Sequence, residues 1–335
     1  MDVDLFVAEH GADWDRLGEL VRRSGRLSGP EADELVLLYQ RAATHLSIAR
    51  SAAPDPALLA RLSSLVARAR SAVAGTHSPA WREVGLFFSQ RFPAAVYLSR
   101  RWWLASTAAF VVVSGLLAVW VAGDSDVQAS IAAPEEIRQL TAPGGAFESY
   151  YSSEPAASFA AQVWTNNAWV AAGALVLGVL LCLPVVFILW SNALNLGVSA
   201  GLMADADRLD VFFGLIVPHG LLELTAVFVA AGAGLRLGWT VIDPGPRTRT
   251  AALAREGRAV VAMALGLTAV LLVSGVIEAF VTPSGLPTWG RIGIGVFAEV
   301  AFLAYVFILG RRARLAGETG DIGADQAGDL APTSG

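Results

Sequence analysis

The chain has 335 residues, 55% of them hydrophobic and 16% charged, whereas a soluble globular protein carries charge on about a quarter of its positions, so an ordinary water-soluble protein is excluded. Its 24 basic side chains are all arginine and face 29 acids, for a formal charge of −5, which excludes on balance a nucleic-acid binder with the positive surface that phosphates require. The single cysteine, Cys182, excludes an intrachain disulfide framework and a cysteine-rich metal site.

Residues 1–101 predict a cytoplasmic helical bundle. Trp14, Leu17, Leu20 and Val21 recur at helical spacing, Ser28-Gly29-Pro30-Glu31 is a capping box, and Leu35, Leu38, Ala42, His45 and Leu46 continue the period. Pro54 and Pro56 restart a helix whose Leu59, Leu62, Leu65, Val66 and Ala69 share a face. From Pro79 onward Trp81, Phe87, Phe88 and Phe92 gather near Arg82, Arg91, Arg100 and Arg101. They suit an amphipathic helix lying in the headgroup plane; packing on the bundle is the alternative.

Residues 102–122 contain no charge and are long enough to cross the hydrocarbon. Further charge-free runs at 168–204, 211–222, 224–235, 259–277 and 300–310 extend the transmembrane domain from 102 to 309. Residues 1–101 hold 13 Arg and 11 acids, whereas 123–167 hold one Arg and six acids. The positive-inside rule therefore places the N-terminus inside and the 123–167 loop outside. Arginines at 236, 247, 249, 255 and 258, and at 311, 312 and 314, put the next long loop and the C-terminus inside. An odd number of crossings must separate 167 from 236, which predicts an all-α polytopic bundle of about six spans. The third, over 191–207, is expected to be short or re-entrant. The acidic outer loop carries Phe147, Tyr150, Tyr151, Phe159 and Trp164, for the outer interface or an outside partner. Residues 310–335 form a cytoplasmic tail, expected to be disordered from Ala316.

Ionisable groups in hydrocarbon are costly and therefore informative. His219 and Glu223 lie four apart on one predicted helix and can pair directly, Glu278 and Glu299 sit in the next two spans, and Asn192 and Asn195 lie three apart before them. This polar cluster reads either as a proton, ion or substrate pathway or catalytic centre, or as a structural clamp around Pro218. The clamp is preferred. Gly197-Val198-Ser199-Ala200-Gly201 fits both a nucleophile elbow and a small-residue packing face. With no strand before it, packing by Gly197 and Gly201 is the better reading. An intramembrane serine protease using Ser199 and His219 stays as the alternative. Gly232 and Gly234 are also assigned to helix packing. No metal site or cofactor is expected, since one histidine with scattered glutamates matches no zinc motif.

Three stretches carry a family likeness: Ser191-Asn192-Ala193-Leu194-Asn195-Leu196-Gly197, the Pro218-His219-Gly220-Leu221-Leu222-Glu223-Leu224 element with the following Phe228 to Leu235, and Ile277-Glu278-Ala279-Phe280-Val281-Thr282-Pro283. Together they resemble stage II sporulation protein M, and Trp14-Asp15-Arg16-Leu17 with Leu38 to Ala43 is similar to the soluble region of its longer members. His45 and Gln40 depart from the pattern expected there. The resemblance implies a multipass bacterial plasma-membrane protein, both termini cytoplasmic, that scaffolds a sporulation-related or cell-envelope complex for peptidoglycan remodelling without catalysis. It also implies membrane lipids, wall-remodelling proteins, RDD-type membrane proteins and MoxR-type ATPases as partners. Self-association stays open, as does a transporter or channel built on the His/Glu/Asn cluster.

Overall fold

A computed structural model describes residues 3–52, 55–73, 80–150 and 156–321. Pro54, Pro79, Tyr151 and the tail beyond Asp321 lie outside the described residues. Every regular element among the described residues is helical. The chain divides into two compact units, Met1–Glu83 and Val84–Gly335.

The first unit is a three-helix bundle of α1 (Val3–Arg22), α2 (Gly29–Ala52) and α3 (Pro56–Val73). Trp14, Leu17 and Leu20 of α1 pack with Leu35, Leu38, Ala42 and Leu46 of α2 and with Leu58, Leu62, Leu65 and Ala69 of α3. Each set is one stripe of a helix, so burial of the three stripes holds the unit together. A buried indole N–H needs an acceptor, and His45 Nδ1 supplies it at 3.1 Å from Trp14 Nε1. At the start of α2 the Glu31 carboxylate accepts from the Ser28 backbone N–H and from its hydroxyl, both at 2.8 Å. Arg16 donates to Glu34 at 3.0 and 2.8 Å and to Glu19 at 3.0 Å, and these hydrogen bonds hold Glu34 below the usual carboxylate range.

Helix α4 (Ala80–Leu86) starts in the last residues of the first unit and runs through a π turn (Phe87–Arg91) into α5 (Phe92–Leu98) and α6 (Arg100–Gly123) of the second. Short helices α7 (Ser125–Ile131), α8 (Pro134–Thr141) and α9 (Ala146–Ser149) precede α10 (Ala156–Leu177). Then come α11 (Leu183–Asp205), α12 (Leu209–Ile242), α13 (Arg249–Val276, carried by a π turn to Val281), α14 (Thr288–Tyr305) and α15 (Arg311–Leu315). Five stretches are long and apolar enough to cross a membrane: Arg100–Gly123, Leu183–Asp205, Leu209–Ile242, Arg249–Val281 and Thr288–Leu315. The 22-residue α10 is not among them; Gln162, Asn166 and Asn167 interrupt its apolar sequence.

Three expectations are corrected here. The helix over 191–207 is not a short one, because Ser191 and Asn192 lie inside the 23-residue α11. The chain turns earlier, where Leu181 and Cys182 adopt left-handed φ values of 55° and 69° and Pro184 opens the next helix. Secondly, Phe92, expected in an amphipathic interfacial helix, is a buried core residue of the second unit. All residues from Phe92 to Tyr97 are buried within the second unit, with the Phe92 ring against Gly266 of α13, where any Cβ would collide with it. Trp81, by contrast, is 73% exposed. Thirdly, the chain makes a specific contact past Ala316, where Asp321 receives a bidentate pair from Arg258 at 2.6 and 2.7 Å.

Helix α12 is the axis of this unit and touches α6, α10, α11, α13 and α14. Glycines let neighbouring backbones approach it. Gly232 meets the Trp103 backbone, Gly234 the Ala174 carbonyl, and Gly238 both Gly178 and Cys182. The segment after α6 folds back over the helix ends. Asp124 caps α7 by accepting from the Asp126 and Val127 N–H groups at 3.0 and 3.2 Å. Arg208, between α11 and α12, donates to the Thr141 carbonyl at 2.6 Å and pairs with Glu148.

Candidate functional site

Pro218 interrupts α12 from inside and has no N–H to give to the preceding turn. Gly295 of α14 lies directly against it; a Cβ there would stand 2.5 Å from the Pro218 carbonyl oxygen. The next residue is His219, whose own carbonyl accepts the Ser274 hydroxyl of α13 at 3.0 Å. Its ring is 5% exposed, and its Nδ1 lies 3.2 Å from the Thr282 hydroxyl. Nε2 lies 3.7 Å from Glu278 Oε1. Glu278 is presented by the π turn Ile277–Val281 at the end of α13, a local widening of the helix that is frequent at functional sites.

Glu223 lies one turn beyond His219 on α12, beside the Asn167 side chain of α10. One ligand atom from each of His219, Glu223 and Glu278 lies within 4.8 Å of the other two. The cluster opens on a groove of about 360 Å³ between α11 and α12, lined by Asn192, Asn195, His219 and Glu223 among others. Asn192 Nδ2 donates to the Ile188 carbonyl at 2.8 Å, anchoring that amide to its own helix. The structure therefore brings five of the six predicted polar residues to one place. Glu299 goes elsewhere: its Oε1 accepts from the Thr225 hydroxyl at 2.9 Å, and it does not line the groove.

In place of the expected direct pairing with Glu223 along α12, the His219 ring turns toward Thr282 and Glu278, with Glu223 nearby. The reading of the sequence missed Asn167, Ser274 and Thr282. All three are uncharged polar groups inside or beside apolar runs, and the adjacent pair Asn166-Asn167 was the available signal.

Gly197 and Gly201 face α6. A Cβ at Gly197 would stand 2.7 Å from the Ser114 carbonyl oxygen, and one at Gly201 would stand 2.7 Å from Val121 Cβ. Ser199 lies between them on α11, a continuous helix with no elbow. His219 Nδ1 faces the Thr282 hydroxyl and Nε2 faces Glu278.

Comparison with known families adds two matches. The family model described as Stage II sporulation protein M matches residues 107–283, which hold α11, α12 and α13 with every member of the His219 cluster. A second model, Domain of unknown function (DUF8413), matches residues 4–75, the three-helix bundle. No curated protein and no solved structure matches the chain.

Proposed function

The chain belongs to the stage II sporulation protein M family, and we propose that it acts as a non-catalytic scaffold in the bacterial plasma membrane, organising a complex for cell-envelope or peptidoglycan remodelling. In this reading both termini are cytoplasmic, the N-terminal bundle engages partners inside, and the segment from Asp124 to Tyr150 engages them outside. Proposed partners are wall-remodelling proteins, RDD-type membrane proteins and MoxR-type ATPases.

The observation that carries the reading is the way α12 is held. Gly232, Gly234 and Gly238 press it against α6, α10 and the turn after α10, while Gly295 of α14 locks onto Pro218. Backbones this close cannot slide past one another without separating. A rigid axis suits a platform better than a protein that must alternate between two states.

A transporter is the second reading, favoured by the polar groove of Asn192, Asn195, His219 and Glu223. Purification of the tagged chain from its native membrane in a mild detergent separates the two. The scaffold predicts stoichiometric co-purification of a wall hydrolase, an RDD-type protein or a MoxR-type ATPase. A chain that purifies alone and carries ion or proton flux in vesicles overturns it.

A further inference from the structure

We propose that His219, Glu223 and Glu278 form a binding site for one divalent transition-metal ion of the zinc class. The inference is independent of the scaffold reading. Four observations carry it.

The first is spacing. The 3.7 Å between His219 Nε2 and Glu278 Oε1 is too long for a hydrogen bond. It is close to the roughly 3.4 Å that separates two ligands each about 2.1 Å from a tetrahedral zinc ion. The Glu223 carboxylate completes a triangle whose sides are all within 4.8 Å, so a small rotamer adjustment closes the set around one ion.

The second is an unmet demand. Glu278 is 4% exposed, yet its Oε2 is buried without a hydrogen-bond partner. A buried carboxylate without enough partners is costly. Two carboxylates and a divalent cation sum to zero charge, which is the inexpensive state inside a membrane.

The third is the orientation of the histidine. When Nδ1–H donates to the Thr282 hydroxyl 3.2 Å away, the lone pair resides on Nε2 and points to the carboxylates. A metal-ligating histidine is commonly held in this way by a second group that fixes its tautomer.

The fourth is access. The groove lined by His219, Glu223, Asn192 and Asn195 would give an ion a path in and leave room beside it for water or substrate. Three protein ligands with one open position is the arrangement of zinc sites that bind water or substrate, unlike closed structural sites.

The test uses the full chain, purified in mild detergent, stripped with a chelator and titrated with Co²⁺ and then Zn²⁺. The expected result is one equivalent of Co²⁺ per chain with the intense visible bands of a four- or five-coordinate ion, displaced by Zn²⁺. His219→Ala and Glu278→Gln should each weaken binding at least 100-fold, Thr282→Val should weaken it about 10-fold through the lost orienting contact, and Glu299→Gln should bind like the wild type. If His219→Ala fails to assemble, the near-isosteric Glu278→Gln and the wild-type spectrum decide. Weak bands of a six-coordinate ion, retention unchanged in Glu278→Gln, or no Co²⁺ retained through gel filtration would each overturn the proposal.

Discussion

Gly197 of α11 rests on the Ser114 carbonyl of α6, so close that a Cβ would stand 2.7 Å from that oxygen. One turn further, Gly201 rests on Ala118 and Val121. The pair makes this interface a contact of backbones, driven by dispersion between well-fitted surfaces, since burial among lipid tails gives no hydrophobic gain. Leucine at either glycine must push the helices apart.

The first prediction follows from that contact. Gly197→Leu and Gly201→Leu should each destabilise the membrane unit by about 1–3 kcal/mol or more through overpacking, read as a lowered thermal transition in detergent. Ser199→Ala should leave the transition within about 0.5 kcal/mol of the wild type, as expected for a substitution away from any special contact, and a fluorophosphonate should not label Ser199. Stable labelling abolished by Ser199→Ala would restore the protease reading.

A second prediction concerns Trp14 and His45. Burial, followed by the neighbouring His10, pushes His45 below the usual imidazole range. His10 stacks on it with ring centroids 4.0 Å apart. Neutral His45 can accept the Trp14 N–H, whereas the imidazolium cannot. The unfolded chain therefore binds the proton more readily than the folded one. The contribution is fully present above the unfolded value near pH 6.5 and is lost as pH falls from there through the lower folded value. Hydrogen exchange of α1 and α2, corrected for its intrinsic pH dependence, should show this loss of protection. In His45→Gln, whose amide oxygen can accept the same bond without titrating in this range, the His45-dependent part of the loss should vanish.

Much of the architecture is legible in the sequence because the bilayer makes charge so informative. The spans at α6, α12 and α13 stand out as charge-free or nearly so, and the apolar stripes of α1, α2 and α3 as periodic. The break between α10 and α11 is hidden, since the chain turns within an uninterrupted apolar run and the marks left are Gly178 and Pro184. Polarity at Ser191 and Asn192 drew the boundary to the wrong place. These residues turn out to border a groove in mid-helix. His219, Glu223 and Glu278 are visible as costly intramembrane groups, but their convergence is not. It depends on the π turn that carries Glu278 back toward α12, and no local periodicity announces that turn.

The third prediction addresses the segment over the helix ends. Arg208 is largely buried and ties Thr141 and Glu148 to the connection between α11 and α12. Phe147 stacks on Phe212 at 5.7 Å. Arg208→Ala leaves the Glu148 carboxylate and the Thr141 carbonyl short of a donor, at a cost of about 1–3 kcal/mol. The expected readout is faster proteolysis within residues 132–150 with α6 and α12 still intact. Unchanged cleavage would mean that contacts other than those of Arg208 hold the segment.

The fourth prediction is the direction of the chain across the membrane. Helices α6 and α10 through α14 alternate in direction if each crosses, which returns the C-terminus to the side of the N-terminus. By the positive-inside rule, the arginines near the end of α12, the start of α13 and in α15 predict that side to be cytoplasmic. In a Cys182→Ala background, single cysteines at the exposed positions Ser125 and Leu286 should react with an impermeant maleimide on intact cells. Cysteines at Ser51, Thr248 and Thr319, also exposed, should react only after the membrane is opened. The decisive site is Thr248, because α10 is the helix whose crossing is least favoured by composition. If Gln162, Asn166 and Asn167 kept α10 from crossing, α11 and α12 would run the opposite way and the loop at Thr248 would face outward. External labelling at Thr248 together with Ser125 would remove α10 from the set of spans, whereas protection at Thr248 with labelling at Ser125 and Leu286 requires all six crossings.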